Sequence, residues 1–280
     1  MRNDIELYKG IWQFGKEYGI MYNNDTHANG SVDRVFYKEM IKLVDETVEF
    51  LYNDYSSSDC LYEKDSRTQL ENLSGKLKSS LARQTVYNIV DYCRDIVEKC
   101  ETRSKYMIFG GTEEEIISRG TYWCTDIARV ACILCQLADL PARIVITANT
   151  NFAYCGHTVV EVYYNNNWGV IDPTNGLVFE QGEGYPASAW TIKRNPQIVN
   201  DAFTKKYGVN EDFFNPGEQY ESVAIVNYYT HEKERYDYTT SNLNEYVCGI
   251  LVHSHEKWAG GIRWIYNEDK QIQVLEKQQK

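Results

Sequence analysis

No run of the sequence approaches the roughly 18 consecutive apolar residues that a membrane-spanning helix requires. The start, MRNDIELYKGIWQFG, lacks the uninterrupted apolar stretch of a secretory leader, so the expected location is the cytoplasm. Excess positive charge is missing too: 29 Lys and Arg face 40 Asp and Glu, giving a net charge of −11. Such a surface repels nucleic-acid phosphates and anionic bilayers, so neither nucleic acid nor membrane is an expected partner. Neither phosphate-cradling glycine pattern, G-x-x-x-x-G-K-[ST] or G-x-G-x-x-G, occurs. Internal repeats and low-complexity tracts are also absent.

What is present suits a soluble globular chain of 280 residues, long enough for one large domain or a domain with an appended layer. It holds eight cysteines: Cys60, Cys93, Cys100, Cys124, Cys132, Cys135, Cys155 and Cys248. A chain of this length does not need disulfide staples, and a reducing compartment keeps most of these as thiols. Tyrosine is abundant at 23 residues. Its large apolar face and polar tip suit either sheet packing or a cleft for a polar substrate.

The first hundred residues read as helical. Phe36, Met40, Leu43, Val44, Val48 and Leu51 recur at helical spacing, as do Leu70, Leu73, Leu77 and Leu81. Val86, Ile89, Val90, Cys93, Ile96 and Cys100 form a third stripe, which makes those two cysteines packed thiols. Thr112 and Glu115 have capping-box spacing, predicting a short helix that stops at Gly120. CTDIARVACILCQLA, from Cys124, is apolar or small on nearly every face and predicts a buried helix ended by Pro141. Strands are expected at 143–147, 158–164 and 168–171, with a tight turn at Asn165-Asn166-Asn167. Residues 175–220 show no clear period. Further strands are expected at 222–229, 245–253, 261–266 and 271–275.

Three residues in this region carry chemistry. Cys124 stands at a helix start, where unpaired N–H groups and the positive end of the dipole favour thiolate over thiol. The same N–H groups suit an oxyanion. His157 begins the alternating run Thr158–Tyr163. If Tyr164 pairs with Asn167 across a two-residue turn, Asp172 faces Val159 and lies diagonal to His157 on the same face of the ribbon. Pro173 keeps Asp172 extended and ends the strand. A thiol, a base to take its proton and a carboxylate to orient that base are what acyl transfer through a thioester needs. Taken singly, each has a plainer reading: a buried structural cysteine, a strand histidine and a turn signal.

Together these motifs resemble the core of the transglutaminase-like superfamily of papain-fold thiol enzymes. The resemblance rests on Cys124, Ala128, Leu140-Pro141-Ala142-Arg143, Gly156-His157, Trp168 and Asp172-Pro173-Thr174, over roughly residues 106–176. Asp139 stands where that family often has glycine. The resemblance implies Cys124 as nucleophile, His157 as base and then acid, and Asp172 as the orienting carboxylate. It also implies the Cys124 backbone N–H as one oxyanion donor, with Trp123 and Gln84 as candidates for the second. Arg143 is expected to be structural, pairing near the helix end.

The reading is therefore an α+β fold, a papain-like or transglutaminase-like core with helices packed on an antiparallel sheet and a β extension at the C-terminus. Residues 1–105 form a helical layer, 106–176 the catalytic core and 177–280 a mostly β extension. The expected activity is acyl transfer from an amide through a Cys124 thioester to water or an amine. The substrate is a protein, a peptide or an amide-containing small molecule, and no cofactor or metal is called for. The alternative is a non-catalytic module that keeps the fold to bind a protein or glycan. Cys132-x-x-Cys135 reads as core rather than as a zinc or redox pair. His253 and His255 read as a solvated strand end.

Overall fold

The alternating Val, Ile and Tyr residues between Ala142 and Asp172 build the centre of an antiparallel sheet. A computed structural model describes residues 41–43, 45, 48, 52, 60, 68–101, 106–110, 112–148, 156–182, 184–208, 216–226, 262–267 and 272–277. Among them the sheet has six strands: β1 (Ile41–Lys42), β3 (Ala142–Ala148), β4 (Gly156–Tyr164), β5 (Asn167–Asp172), β6 (Leu177–Val178) and β7 (Ser222–Val226). Their order is β1-β7-β3-β4-β5-β6. A second sheet pairs β2 (Tyr106–Gly110) with β9 (Ile272–Lys277), and β9 with β8 (Ile262–Asn267).

The β4–β5 hairpin takes the expected register, Tyr164 opposite Asn167 through Val160 opposite Ile171. Asn165 and Asn166 turn the chain at φ 50° and 63°. Two successive left-handed residues match the right-handed twist of the flanking strands, and asparagine tolerates that conformation.

Each face of the sheet carries its own core. Ile144, Ile146, Val160, Val162 and Ile171 point to one face. Four helices cover it: α1 (Thr68–Leu77), α2 (Ala82–Glu101), α3 (Glu113–Arg119) and α4 (Cys124–Leu137). Helix α3 begins with the expected box: the Thr112 hydroxyl accepts from the Glu115 N–H, and Glu115 accepts from the Thr112 N–H. Helix α4 is buried from Thr125 to Gln136. Its charged residues are matched, with Arg119 donating to Asp126 at 2.7 Å and Arg129 to Glu113 at 3.0 Å. Cys93, Cys132 and Cys135 lie in this core, where burial pushes their thiols up from the ordinary range.

Val145, Val159 and Val170 point to the other face. It is covered by α5 (Ala189–Arg194), α6 (Gln197–Tyr207) and a 3₁₀ turn at Pro216–Glu221. At its centre, Arg143 and Glu161 oppose each other on β3 and β4, both fully buried. The guanidinium donates to one Glu161 oxygen through Nε at 2.9 Å and Nη2 at 2.7 Å. The other oxygen accepts from the Tyr52 hydroxyl at 2.7 Å and the Ala189 N–H at 2.9 Å. Trp168 lies against the guanidinium, 4.2 Å from ring centroid to Cζ. The pair therefore ties the start of α5 to the sheet.

Several expectations are corrected. Arg143 pairs across the sheet rather than near a helix end, because strand alternation turns its side chain away from α4. Helix α4 ends at Leu137, four residues before Pro141, and the chain turns through Asp139 at φ 66°. That is the position where glycine suits the left-handed turn, and aspartate is among the few other residues that accept it. Lys78 pairs with its carboxylate. Leu81 leaves its stripe and lies exposed in the turn between α1 and α2. Residues 41 and 42, expected as helix, pair with β7 instead. The segment expected to be mostly β supplies β6 to β9 but also α5 and α6. Helix α5 has only six residues, too few to establish a period in sequence, although Ser188 caps it by accepting from the Thr191 N–H. Strand β2 was also not anticipated. The strand expected at 245–253, with His253 and His255, lies outside the described residues, as does most of the stripe from Phe36 to Leu51. Among the described residues no helix is long and apolar enough to cross a membrane.

Candidate active site

Helix α4 approaches the sheet from one face, and its first residue meets β4 near that strand's start. Thr125 and Thr158 hydroxyls hydrogen-bond at 3.3 Å in the buried seam between them. Cys124 thereby comes beside His157 and Thr158. Its thiol is hydrogen-bonded to the imidazole, and the Thr158 N–H and hydroxyl both reach the sulfur. The β4–β5 ladder stops at Val160, one residue beyond Val159, which leaves the strand end open for that contact.

His157 and Asp172 lie on the opposite face from the helix core, as the register requires. His157 Nε2 is 3.0 Å from Asp172 Oδ2, so Nδ1 is the nitrogen left for Cys124. The Thr147 hydroxyl donates to the His157 carbonyl at 3.2 Å and fixes the backbone beneath the ring. The histidine side chain retains 19% exposure and the aspartate 2%. A reacting group can therefore reach the imidazole while its carboxylate partner stays shielded.

Electrostatics and burial oppose each other at all three groups. Burial favours the neutral thiol, but the hydrogen bond and positive charge of His157, with the Thr158 donors, bring the Cys124 pKa below its ordinary value. Burial disfavours imidazolium, yet Asp172 and then Cys124 together hold His157 well above its ordinary value. Burial likewise raises Asp172, and the His157 and Asn175 contacts outweigh it and bring the carboxyl below the usual range. Each of the three shifts favours the charged form: thiolate for Cys124, imidazolium for His157 and carboxylate for Asp172.

Sequence reasoning missed Asn175 and Thr158. Asn175 donates to both oxygens of Asp172, through its backbone N–H at 3.1 Å and its side chain at 2.7 Å. Its loop is held by donors from two helices. Arg94 of α2 donates to the Thr174 carbonyl at 2.8 Å, and Tyr207 of α6 donates to the Asn175 carbonyl at 2.6 Å. Lys206 of α6 donates to the Gly176 carbonyl. An aspartate followed three residues later by asparagine is a readable turn signal. The distant donors leave none.

The two candidates for a second oxyanion donor fare differently. Gln84 lies exposed on the first turn of α2, its amide donating to Asn88 at 2.9 Å, and is not brought to the thiol. Trp123 precedes Cys124 directly, but its backbone N–H donates to the Thr121 hydroxyl at 3.1 Å. The Cys124 N–H, in the first turn of α4, has no intrahelical acceptor. No group of three or more His, Cys, Asp or Glu residues able to hold a metal ion occurs among the described residues.

The architecture is thus an α+β core in which a helix start delivers a thiol to a histidine–carboxylate pair on an antiparallel sheet. Residues 68–173 match a family model described as the transglutaminase-like superfamily. The match runs from α1 to the residue after Asp172 and takes in all three groups. No curated protein and no solved structure matches the chain.

Proposed function

We propose that the protein is a thiol acyl-transfer enzyme that opens an amide through a thioester on Cys124. The observation that carries this reading is the linked set of contacts from the Cys124 thiol to His157 and from His157 to Asp172 at 3.0 Å. The Cys124 thiolate attacks the amide carbonyl carbon, and the Cys124 N–H steadies the oxyanion. His157 passes its proton to the departing amine as the C–N bond breaks, leaving the acyl group on sulfur. Neutral His157 then takes a proton from water or an incoming amine, which forms its bond to the carbonyl carbon as thiolate leaves. Asp172 holds the imidazole in the required orientation throughout, itself steadied by Asn175.

Incubation with a panel of glutamine, asparagine-linked and peptide amides, read by mass spectrometry, tests this reading. A covalent acyl adduct on Cys124 is expected, and Cys124→Ala should abolish both adduct and turnover. That variant should keep its fold, because the fully buried face of α4 begins only at Thr125. Turnover at the parent rate in the alanine protein would sink the thioester mechanism.

A further inference from the structure

The face of the sheet that bears His157 and Asp172 does not close completely against the layer above it. Between them lies a cavity of about 110 Å³, walled by Phe179, Val199, Phe203 and Pro216 and bordered by the His157–Asp172 pair. Asn175, with Gln219 and Tyr220 of the 3₁₀ turn, completes the lining. Tyr220 is only 3% exposed, yet among the described residues no group hydrogen-bonds its hydroxyl. Burial, with the negative charges of Asp172 and Glu161, keeps it a neutral phenol. Tyr220 lines the cavity, so its hydroxyl is a hydrogen-bonding group that an occupant can meet.

The wall is built to stay in place. The Gly217 N–H donates to Asn200 of α6 at 3.1 Å. A Cβ at that glycine would come within 2.4 Å of the Pro196 carbonyl oxygen, so the turn seats closely against the start of α6.

Size, charge and position then narrow the occupant. An apolar cavity of about 150 Å³ holds benzene, so this smaller one suits a group of about leucine size. Asp172 and the imidazole beside it are paired with each other, so neither an anion nor a cation finds a free countercharge there. The apolar walls of Phe179, Val199, Phe203 and Pro216 share the lining with the neutral hydrogen-bonding groups of Asn175, Gln219 and Tyr220. The cavity also borders His157 rather than Cys124. In acyl transfer the histidine exchanges its proton with the leaving or incoming amine, so substituents of that amine lie on the histidine's side. We infer that this cavity is an amine-side subsite, admitting an uncharged side chain of up to about leucine size on the amine that leaves or attacks the thioester. The inference rests on the thioester reading and names the amine that reading left open. In the transfer step, the amine nitrogen bonds to the acyl carbon as the C–S bond breaks. Its proton passes to His157, and the thiolate–imidazolium pair is restored.

The test separates the two readings. p-Nitrophenyl acetate is used to acetylate Cys124, and deacylation is followed with leucinamide, tryptophanamide and glutamic acid α-amide, which differ in size and charge beyond similar amines. Leucinamide should be acetylated about tenfold faster than the other two. Val199→Trp should fill the cavity and erase that preference. Phe203→Ala, checked for folding by circular dichroism, should enlarge it and move the preference towards tryptophanamide. An acetyl-enzyme that shows no preference, or the same preference in both variants, overturns the subsite and leaves a cavity that holds only structural water. If Cys124 is never acetylated, the thioester reading falls, and leucinamide binding to Cys124→Ala by NMR decides the cavity alone. Binding lost on adding Val199→Trp keeps it as a subsite; no binding, or binding indifferent to that change, overturns it.

Discussion

The two faces of the main sheet are held by different forces. The face covered by α1 to α4 is dominated by aliphatic side chains and buried thiols, its buried ion pairs lie within the helix layer, and α1 and α2 are recognisable from apolar period alone. The opposite face carries a buried ion pair, a hydrogen-bonded carboxylate, a half-buried histidine and an open cavity. The first face presents the thiol; the second presents the base and the group that orients it. Apolar packing is non-directional and tolerates small errors, which suffices to place a helix start. A histidine needs its ring set to a fraction of an ångström, and directional hydrogen bonds supply that.

The largest expected effect lies at the ion pair of the polar face. Glu161→Gln leaves the Arg143 cation buried without a countercharge and weakens the tie to α5. The loss should be about 3–5 kcal/mol, a large share of the roughly 5–15 kcal/mol that stabilises an ordinary domain. Urea unfolding measures it. A loss below about 1 kcal/mol would mean that this face is held by its apolar contacts after all, and the contrast between the faces would disappear.

Asp172→Asn comes next and acts on rate rather than stability. The neutral amide removes the charge that holds His157 as imidazolium and permits the wrong tautomer. In a serine triad the equivalent change costs about 10⁴ in kcat. A thiol depends less on its base, so a loss of about 10²–10³ is expected here. An undiminished rate in steady-state kinetics would make Asp172 merely the end of a strand.

Asn175→Ala removes one of the two bonds that the loop gives Asp172 and should slow turnover about tenfold, the scale of one charge-assisted hydrogen bond. It also has a pH signature. The Asp172 pKa is depressed in the folded protein, so its stabilisation is present above its unfolded value and is lost as pH falls through the folded one. Removing a donor raises the folded pKa, so acid unfolding should begin at a higher pH in the variant. A slowed enzyme with an unchanged acid transition would show that Asn175 acts elsewhere.

Legibility in the sequence follows the same division between the faces. The 3.6-residue stripes of α1 and α2, the all-round apolar run of α4, the Thr112–Glu115 box and the Asn165-Asn166 turn each write a local rule into neighbouring residues. The hairpin register followed from that turn, and with it the shared face of His157 and Asp172. Tyr207, Lys206 and Arg94 steady the Asn175 loop from 32, 30 and 80 residues away, and no local pattern records such a contact. Helices α5 and α6 were hidden for a related reason. They are short, and α5 is anchored by Glu161 from a different strand. Arg143 was seen, but the placement expected for it ignored the alternation that turns it to the far face.

The smallest effect, and the one that joins the two faces, is the titration of Cys124 with His157. The thiol lies below its ordinary pKa and the imidazole well above its own, so both shifts favour the thiolate–imidazolium pair. Alkylation rate against pH should therefore rise through an inflection below the usual thiol value of about 8.5. Activity should fall again on the alkaline side as His157 loses its proton, giving a bell. The histidine also contributes to stability in a pH-dependent way. Its folded pKa is raised, so its contribution is complete below the unfolded value of about 6.5 and is lost as pH climbs through the folded value. His157→Ala deletes the cation and its hydrogen bond but leaves the burial, the Thr158 donors and the helix start. The alkylation inflection should then move upward, because burial is the largest influence that remains. An inflection that stays put would mean that the start of α4 and Thr158 alone hold the thiolate. The apolar face would then activate the nucleophile by itself, and the polar face would serve only to move protons.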